Sequence, residues 1–170
     1  MPFVEADFPL ILDLHSDREV NRYLSPGPAP MAANEVRERL KTYIADHSLT
    51  GISKWKVETK EGLFVGRTGF SYLKDPDGYE LGYSFRREVW GRGYATEIAK
   101  GLTRWYFERT EVDYLIAYAL MEHKASLRVM QKAGFQHWQD REKHGCPCRF
   151  YRIFREEFER SQAIEIRKNR

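Results

Sequence analysis

The sequence predicts an α/β fold of the α+β kind, in which helices flank a mixed, mostly antiparallel central sheet. Residues 79–85 alternate apolar with polar or small side chains, which is the period of a strand. An amphipathic helix pattern over residues 95–108 follows, and then a continuous apolar segment over residues 113–120. Two strands joined by a helix imply a parallel pair. A hairpin pattern over residues 54–73 predicts antiparallel neighbours.

Size and composition predict one soluble, cytoplasmic domain over residues 1–160, followed by a charged tail over residues 161–170 that is expected to fray. With 170 residues, 42% of them hydrophobic, the chain can bury a core. No apolar run approaches the roughly 20 residues of a membrane span, and the N-terminus lacks the pattern of a signal peptide. The net charge of +3 is mild and the basic residues are dispersed, so neither a membrane nor nucleic acid is an expected partner.

In the N-terminal half, helical patterns come first and a hairpin follows. The predicted elements are one or two short helices over residues 7–24 with a break near Ser16, an irregular proline-rich loop, a helix over residues 32–47 with Asn34 as its N-cap, and hairpin strands over residues 54–58 and 63–73. A strong turn signal from Asp75 to Gly78 then leads into the strand over residues 79–85.

The C-terminal half alternates helices and strands. After the apolar strand, the predicted elements are a helix over residues 123–133 that ends at Gly134, and two strands over residues 135–139 and 149–154 around a loop that contains both cysteines. Cys146 and Cys148 are too close for an unstrained disulfide. Even with His144 nearby they do not complete a zinc site, so no metal is expected.

A glycine-containing loop connects the strand over residues 79–85 to the long helix. Gly91 and Gly93 can adopt positive φ or let a ligand approach the backbone closely. The start of the helix presents free backbone N–H groups and a partial positive charge. We therefore expect the loop to bind an anion, most naturally a phosphate.

Three blocks of sequence extend this expectation. They are Glu5-Ala6-Asp7 with Arg22-Tyr23-Leu24, then Glu80-Leu81-Gly82-Tyr83 running to Trp90-Gly91-Arg92-Gly93-Tyr94-Ala95-Thr96-Glu97, and finally His123 through Ser126 to Gly134-Phe135. In this order they resemble the GNAT superfamily of acetyl-CoA-dependent N-acetyltransferases, in particular its ribosomal-protein N-terminal (Rim-type) branch. The second block is similar to the family's pyrophosphate loop, with Gly93 and Ala95 at its small positions and Trp90 where Gln or Arg is usual.

The resemblance implies that acetyl-CoA is the co-substrate and that its pantetheine arm lies in the gap of a splayed parallel strand pair. The loop would supply backbone N–H groups to the pyrophosphate, with the Thr96 hydroxyl as a further donor and Arg92 as a phosphate partner. The implied cofactor-binding residues are Tyr83, Ser84, Phe85, Arg92, Gly93, Tyr94, Ala95, Thr96, His123 and Ser126. Two features depart from the family pattern: His123 replaces an Asn, and the opening strand before Glu5 is short or absent.

Acetylation of an amine requires a base for the amine and a proton for the departing thiolate. Glu80 is the candidate base, because it shares a strand face with Gly82 and Ser84; the alternative is a solvated or structural carboxylate. Many members of the family place a Tyr four residues after the Ser, where this chain has Met130, which cannot donate a proton. Ser126 is therefore the candidate acid or thiolate stabiliser, against the alternative of a helix Ser that hydrogen-bonds locally.

The predicted function is transfer of an acetyl group from acetyl-CoA to a primary amine by direct attack in a ternary complex, in a monomer or homodimer. The acceptor stays open between a protein N-terminus and a small-molecule amine such as an amino acid, polyamine or aminoglycoside. The alternative is a catalytically weak or inactive acetyl-CoA-binding or regulatory module, which His123, Met130 and the short N-terminus permit. The two differ in whether an amine triggers release of the thiol.

Overall fold

The computed structural model of the chain describes residues 1–24, 27 and 29–168. Within them the helices are α1 Phe8–Ser16, α2 Arg18–Asn21, α3 Ala33–Thr50, α4 Tyr94–Arg109, α5 Lys124–Lys132 and α6 Arg155–Lys168. The strands are β1 Lys54–Glu58, β2 Phe64–Lys74, β3 Asp77–Phe85, β4 Tyr114–Leu120, β5 Gln136–Lys143 and β6 Cys146–Phe154.

The strands form one sheet in the order β1-β2-β3-β4-β6-β5. The β1–β2, β4–β6 and β5–β6 pairs are antiparallel, whereas β3 and β4 are parallel with Glu80 opposite Ile116. The mixed, mostly antiparallel sheet flanked by helices is thus confirmed, and so is the parallel pair that the strand–helix–strand pattern predicted.

The chain divides into two compact units, which are described separately. The first comprises Met1–Ser71 and Gly82–Ala95, and the second comprises Tyr72–Leu81 and the chain from Thr96 onward. A core cluster of the first unit includes Phe3, Ile11, Leu14, Val20, Met31, Val36, Leu40, Tyr43 and Phe64. A core cluster of the second consists of Ile116, Cys148 and Phe150, with Leu73, Tyr114, Tyr118, Leu120 and Trp138 packed against it. The single domain over residues 1–160 stays a prediction.

The N-terminal helices follow the sequence prediction closely. The break lies at Asp17, whose backbone is extended and whose carboxylate accepts a hydrogen bond from the Glu19 N–H at 2.8 Å, so that Asp17 caps α2. The predicted cap of α3 is wrong. Asn34 lies inside the helix, and the Glu35 carboxylate instead accepts a hydrogen bond from the N–H of Ala32, the capping residue, at 2.8 Å. The proline-rich loop falls partly outside the described residues.

The last two strands are longer than predicted, and the cysteines lie in β6 rather than in a loop. His144 and Gly145 both have positive φ, 53° and 74°, as in the tight turns that join hairpin strands. The side chains of β5 are mostly polar, so most of this strand lacks the alternation of apolar and polar residues that predicts a strand. One of them, Asp140, pairs across the hairpin with Arg149 through hydrogen bonds of 2.8 and 2.7 Å.

The tail predicted to fray from residue 161 is helical as far as residue 168; residues 169 and 170 lie outside the described part of the chain. Arg155, the first residue of α6, donates hydrogen bonds to the carbonyl of Phe107 at 2.6 Å, to that of Val112 at 3.2 Å and to that of Thr110. These bonds satisfy carbonyl groups at and beyond the C-terminus of α4. This tertiary contact anchors the start of α6.

Candidate functional site

The loop that joins β3 to α4 has the shape expected of a phosphate-binding loop. The Trp90 indole N–H donates a hydrogen bond to the Phe85 carbonyl at 2.8 Å and so fixes the first part of the loop. Gly91 and Gly93 then have φ of 73° and 86°, values that favour glycine. Helix α4 begins directly afterwards, at Tyr94. The chain therefore turns sharply into a helix start whose N–H groups have no partner in the preceding turn.

The surroundings of Gly93 fit a ligand that comes close to the backbone. A Cβ placed on Gly93 would meet no heavy atom of the described residues within 4 Å, apart from its chain neighbours. Arg92 and Gly93 are exposed, whereas Tyr94, Ala95 and Thr96 are half-buried. The space above the loop is thus free for an anion, and α4, with 16 residues, supplies a full helix dipole behind it.

The end of β3 contains a buried hydroxyl group without a partner. Ser84 is 7% exposed, and its Oγ atom makes no hydrogen bond to any residue that the structure describes. Its carbonyl lies so close to Gly66 of β2 that a Cβ at residue 66 would be 2.3 Å from the carbonyl oxygen. Tyr83 and Phe85, on either side, have ring centroids 6.2 Å apart. An unsatisfied hydroxyl at this position fits the polar pantetheine arm that the resemblance implies here.

The second unit contains the two candidate catalytic residues. Glu80 is partly exposed on β3, opposite Ile116 of β4. Ser126 is buried in the first turn of α5. Met130, one turn later, is also buried and offers no proton.

His123 performs the capping task that an Asn performs at a helix start. Its Nδ1 atom accepts a hydrogen bond from the Ser126 N–H at 3.3 Å, so the imidazole is the tautomer with its proton on Nε2. Burial lowers the pKa of His123 to about 4, which keeps the ring neutral at pH 7. The replacement of Asn by His therefore preserves the cap.

A charged cleft in the first unit was not predicted from the sequence. A cavity of about 400 Å³ is lined by Asp13, Leu14, Ser16, Asp17, Val20, Arg86, Arg87 and Glu88. A neighbouring one of about 450 Å³ shares three of these residues and adds Glu19 and Trp90. Arg86 pairs with Asp13 at 2.6 Å. Glu19 pairs with Arg22 at 3.5 Å. The carboxylates of Asp17 and Glu88 then stand against the guanidinium of Arg87, so the cleft favours a cation. No motif marks these residues, because they come from two helices and the segment after β3.

A buried polar contact lies behind this cleft. His15 is 0% exposed, and its Nδ1 atom lies 3.1 Å from the Asn21 side-chain oxygen. The Asn21 amide donates to the carbonyl of His15 at 2.6 Å and to that of Ala29 at 3.3 Å. The Met31 N–H also donates to the His15 carbonyl, at 3.0 Å. These bonds connect α1 and α2 with each other and with Ala29 and Met31, which precede α3.

Burial, together with the nearby charge of Arg67, lowers the pKa of His15 to about 3. Between that value and the ordinary value of about 6.5, the unfolded chain binds a proton that the folded chain does not, so stability falls as the pH falls. When the pH is lowered from 7 to 5, we expect protonation of His15 in the unfolded chain to reduce the free energy of unfolding by about 2 kcal/mol. Urea unfolding at the two pH values measures this, and His15→Asn is expected to remove that part of the loss.

The matched control is His144→Asn, since His144 is exposed and Asn tolerates its positive φ. The pH dependence of this variant is expected to equal that of the wild type. A pH dependence that His15→Asn leaves unchanged would show that His15 does not remain neutral in the folded protein.

Other kinds of site find little support in the described part of the chain. Among residues 1–24, 27 and 29–168, no three His, Cys, Asp or Glu side chains are grouped so that they could hold a metal ion. Cys146 is exposed and Cys148 buried, and both are free thiols. None of the described helices combines the length and the apolar character required to span a bilayer.

Comparison with known proteins identifies the family. The profile of the acetyltransferase (GNAT) domain matches residues 1–136. An uncharacterized N-acetyltransferase, p20, from Bacillus licheniformis is 27% identical over 139 residues, covering 80% of this chain and 76% of that protein. The uncharacterized protein YkkB from Bacillus subtilis is 32% identical over 104 residues, covering 59% of this chain and 60% of that protein. The match therefore spans less than two thirds of the length of YkkB.

Solved structures share the fold without selecting a branch. A GNAT-family acetyltransferase from Bacillus anthracis superposes with a TM-score of 0.78 at 23% identity, covering 92% of this chain and 93% of that one. An aminoglycoside acetyltransferase in complex with coenzyme A gives a TM-score of 0.80 at 15% identity, covering 95% and 97%. The ribosomal-protein acetyltransferase RimL gives 0.75 at 15% identity, covering 90% and 91%. The GNAT assignment is confirmed, whereas the Rim-type branch is not.

Proposed function

The chain belongs to the GNAT family of acetyl-CoA-dependent N-acetyltransferases, and from this premise we propose that it acetylates a primary amine by direct attack in a ternary complex. The observation that carries the proposal is the loop before α4, where Gly93 leaves open space against a helix start. Such a loop suits the pyrophosphate of a nucleotide-containing co-substrate.

In this proposal the loop binds the phosphates and β3 binds the pantetheine arm. The N–H groups of Gly93, Tyr94 and Ala95 donate to the pyrophosphate, the Thr96 hydroxyl adds a donor, and exposed Arg92 pairs with a phosphate. The buried Ser84 hydroxyl, which has no partner within the described part of the chain, hydrogen-bonds to the arm. Acetyl-CoA supplies the activated acetyl group, as a thioester.

The acceptor is proposed to approach through the charged cleft of the first unit. Alkyl amines are mostly protonated at neutral pH, and the carboxylates of Asp17 and Glu88 in the cleft attract such cations. Similar folds include enzymes named for ribosomal-protein, aminoglycoside and spermidine acetylation, so the fold alone selects no acceptor. A protein N-terminus and a small-molecule amine both fit the cleft by charge.

The transfer requires two proton movements, which we assign to two residues of the second unit. Glu80 accepts the proton of the ammonium group, directly or through water, and the free amine attacks the thioester carbonyl. A C–N bond forms, the C–S bond breaks, and the second proton that the attacking nitrogen loses balances the proton taken up by the departing thiolate. Ser126 donates a hydrogen bond to this thiolate, since Met130 cannot.

Ser126→Ala tests this assignment. We expect kcat to fall by about tenfold to a hundredfold, because a donor to the leaving group is lost, while the Kd for acetyl-CoA changes little. Ser161→Ala is the matched control, because Ser161 is an exposed helix serine whose hydroxyl donates to the Phe158 carbonyl of its own helix. Turnover in Ser126→Ala equal to that of the control would remove Ser126 from the mechanism.

Met130 is buried and cannot donate a proton to the leaving group. This favours one other candidate function, an acetyl-CoA-binding module with little or no turnover. Such a module would bind acetyl-CoA in calorimetry and release no thiol with any amine.

A further inference from the structure

The second unit contains an arginine on β6 that contacts two aromatic rings and that the proposed chemistry does not use. The guanidinium carbon of Arg152 lies 4.6 Å from the centroid of the Trp138 ring and 4.6 Å from that of the Phe154 ring. Arg152 is only half-buried, so part of it is open to solvent. No carboxylate that the structure describes pairs with it. Its charge is therefore held in place by rings and lacks a described counterion.

The other two arginines of the β5–β6 hairpin have carboxylate partners. Arg141 donates two hydrogen bonds to Asp75, at 3.0 and 2.6 Å, and Arg149 donates two to Asp140, at 2.8 and 2.7 Å. Arg152 has the same fork of N–H donors, but no acceptor for it is described. A guanidinium that is fixed by its neighbours and has donors to spare is preorganised for a planar or phosphate-like oxyanion.

The register of the sheet places Arg152 on the same face as the proposed base. Glu80 pairs with Ile116 across β3 and β4, and Ile116 pairs with Arg152 across β4 and β6. The side chains of paired residues point to the same face of a sheet. Neighbouring strands are about 4.8 Å apart, so the backbones of Glu80 and Arg152 are separated by about 10 Å. The buried side chain of Ile116 lies between them.

Helices α4 and α5 pack against the opposite face of these strands. An aromatic ring of α4 contacts the ring of Tyr79, with centroids 6.0 Å apart. Because Tyr79 precedes Glu80 in β3, its side chain points the other way. Gly134, which follows α5, lies against the side chain of Ile153, the residue after Arg152. Neither helix therefore covers Glu80 or Arg152, and both residues are partly exposed.

We propose that Arg152 binds an anionic group of the acetyl acceptor, a carboxylate or a phosphate that lies about 10 Å from the amine. This inference rests on the proposed function, in which Glu80 takes the proton of that amine. A guanidinium group binds either anion through paired N–H donors. A site built for such a group discriminates strongly against an analogue that lacks it. The acceptor is thus an amine with an anion at its far end, as in a short peptide with a free C-terminus.

Amines that differ only in the distant anion test the proposal. Triglycine spans about 10 Å when extended, and triglycinamide replaces its carboxylate with a neutral amide. Aminohexyl phosphate and aminohexanol form the corresponding phosphate pair. Each compound is assayed by thiol release at saturating acetyl-CoA, or as an inhibitor of an amine that is acetylated.

We expect the anionic member of at least one of these pairs to be preferred by more than about tenfold in kcat/KM or in inhibition constant, because a charge-assisted bond is made only by that member. Glycine and glycinamide are expected to show no such preference, since a single residue is too short to reach from Glu80 to Arg152.

Arg152→Met is expected to erase the preference by raising KM, or the inhibition constant, for the anionic member alone. Lys143→Met is the matched control, because Lys143 is also half-buried, lies over an aromatic ring, that of Tyr118 at 5.3 Å, and loses the same charge. Lys143 pairs with Cys146 of β6, which shares a face with Arg152. The control is expected to keep the wild-type preference. If Arg152→Met does not fold, Arg152→Lys keeps the charge without the paired donors and is expected to weaken the preference.

The outcomes separate this inference from the proposed function. Equal constants within both long pairs, the same preference in the glycine pair, or an equal loss for both members in Arg152→Met would overturn the inference alone. A preference in the phosphate pair only would support it and identify phosphate as the anion. Absence of amine-dependent thiol release would overturn the proposed function; calorimetric titration of the same pairs then still tests Arg152, and equal affinities would overturn the inference.

Discussion

Gly93→Glu is expected to abolish measurable acetyl-CoA binding while the protein still folds. Gly93 has a φ of 86° and open space where a side chain would begin. A glutamate there strains the backbone but meets no described atom at its Cβ. It places a carboxylate where we expect the pyrophosphate, and opposed like charges cost about 3 kcal/mol or more, which is more than a hundredfold in Kd. Calorimetric titration with acetyl-CoA measures the effect.

Gly62→Glu provides an unusually close control. Gly62 lies in the turn between β1 and β2 with a φ of 84°, and a Cβ there also meets no atom of the described residues within 4 Å, apart from its chain neighbours. The two variants therefore carry the same charge and the same backbone penalty of about 1–2 kcal/mol. We expect similar losses of stability from both and a loss of acetyl-CoA binding from Gly93→Glu only. Wild-type affinity in Gly93→Glu would refute the pyrophosphate assignment of the loop.

Glu80→Gln is expected to lower kcat by about a hundredfold or more, because the amide keeps the shape of the side chain but cannot accept the proton. The Kd for acetyl-CoA is expected to stay within about twofold, since the substitution leaves the loop before α4 unchanged. Steady-state kinetics with a reactive amine, together with calorimetry, separates the two quantities.

Glu108→Gln is the control for this variant, because Glu108 is an exposed carboxylate of α4 in the same unit as Glu80. It is expected to keep wild-type kcat. If Glu80→Gln also keeps it, Glu80 is a structural carboxylate and the amine is deprotonated by water or by another group.

The features that the sequence predicted well are those that local patterns determine. The alternation in β3, the glycines before α4 and the stop at Gly134 each depend on neighbouring residues, and each lies where it was expected. The parallel pair followed from the order of these elements and from the handedness of crossovers.

The features that were missed depend on contacts between distant residues. Helix α6 has a weak apolar pattern and is anchored where Arg155 reaches the end of α4. The strand predicted over residues 135–139 continues to Lys143 as β5, and this polar extension had no alternating signal. The burial of Arg67 and His15 is likewise a product of packing. In the sequence, both resemble ordinary polar residues of a strand and a helix.

The most direct test of acetyl transfer is a thiol-release measurement with acetyl-CoA over a panel of small amines, amino acids and N-terminal peptides, with mass detection of the products. We expect free CoA to appear only when a suitable amine is present, with one acetylated amine formed for each thiol released. Tight acetyl-CoA binding without amine-dependent release across the whole panel would contradict the assignment and leave a binding module in its place.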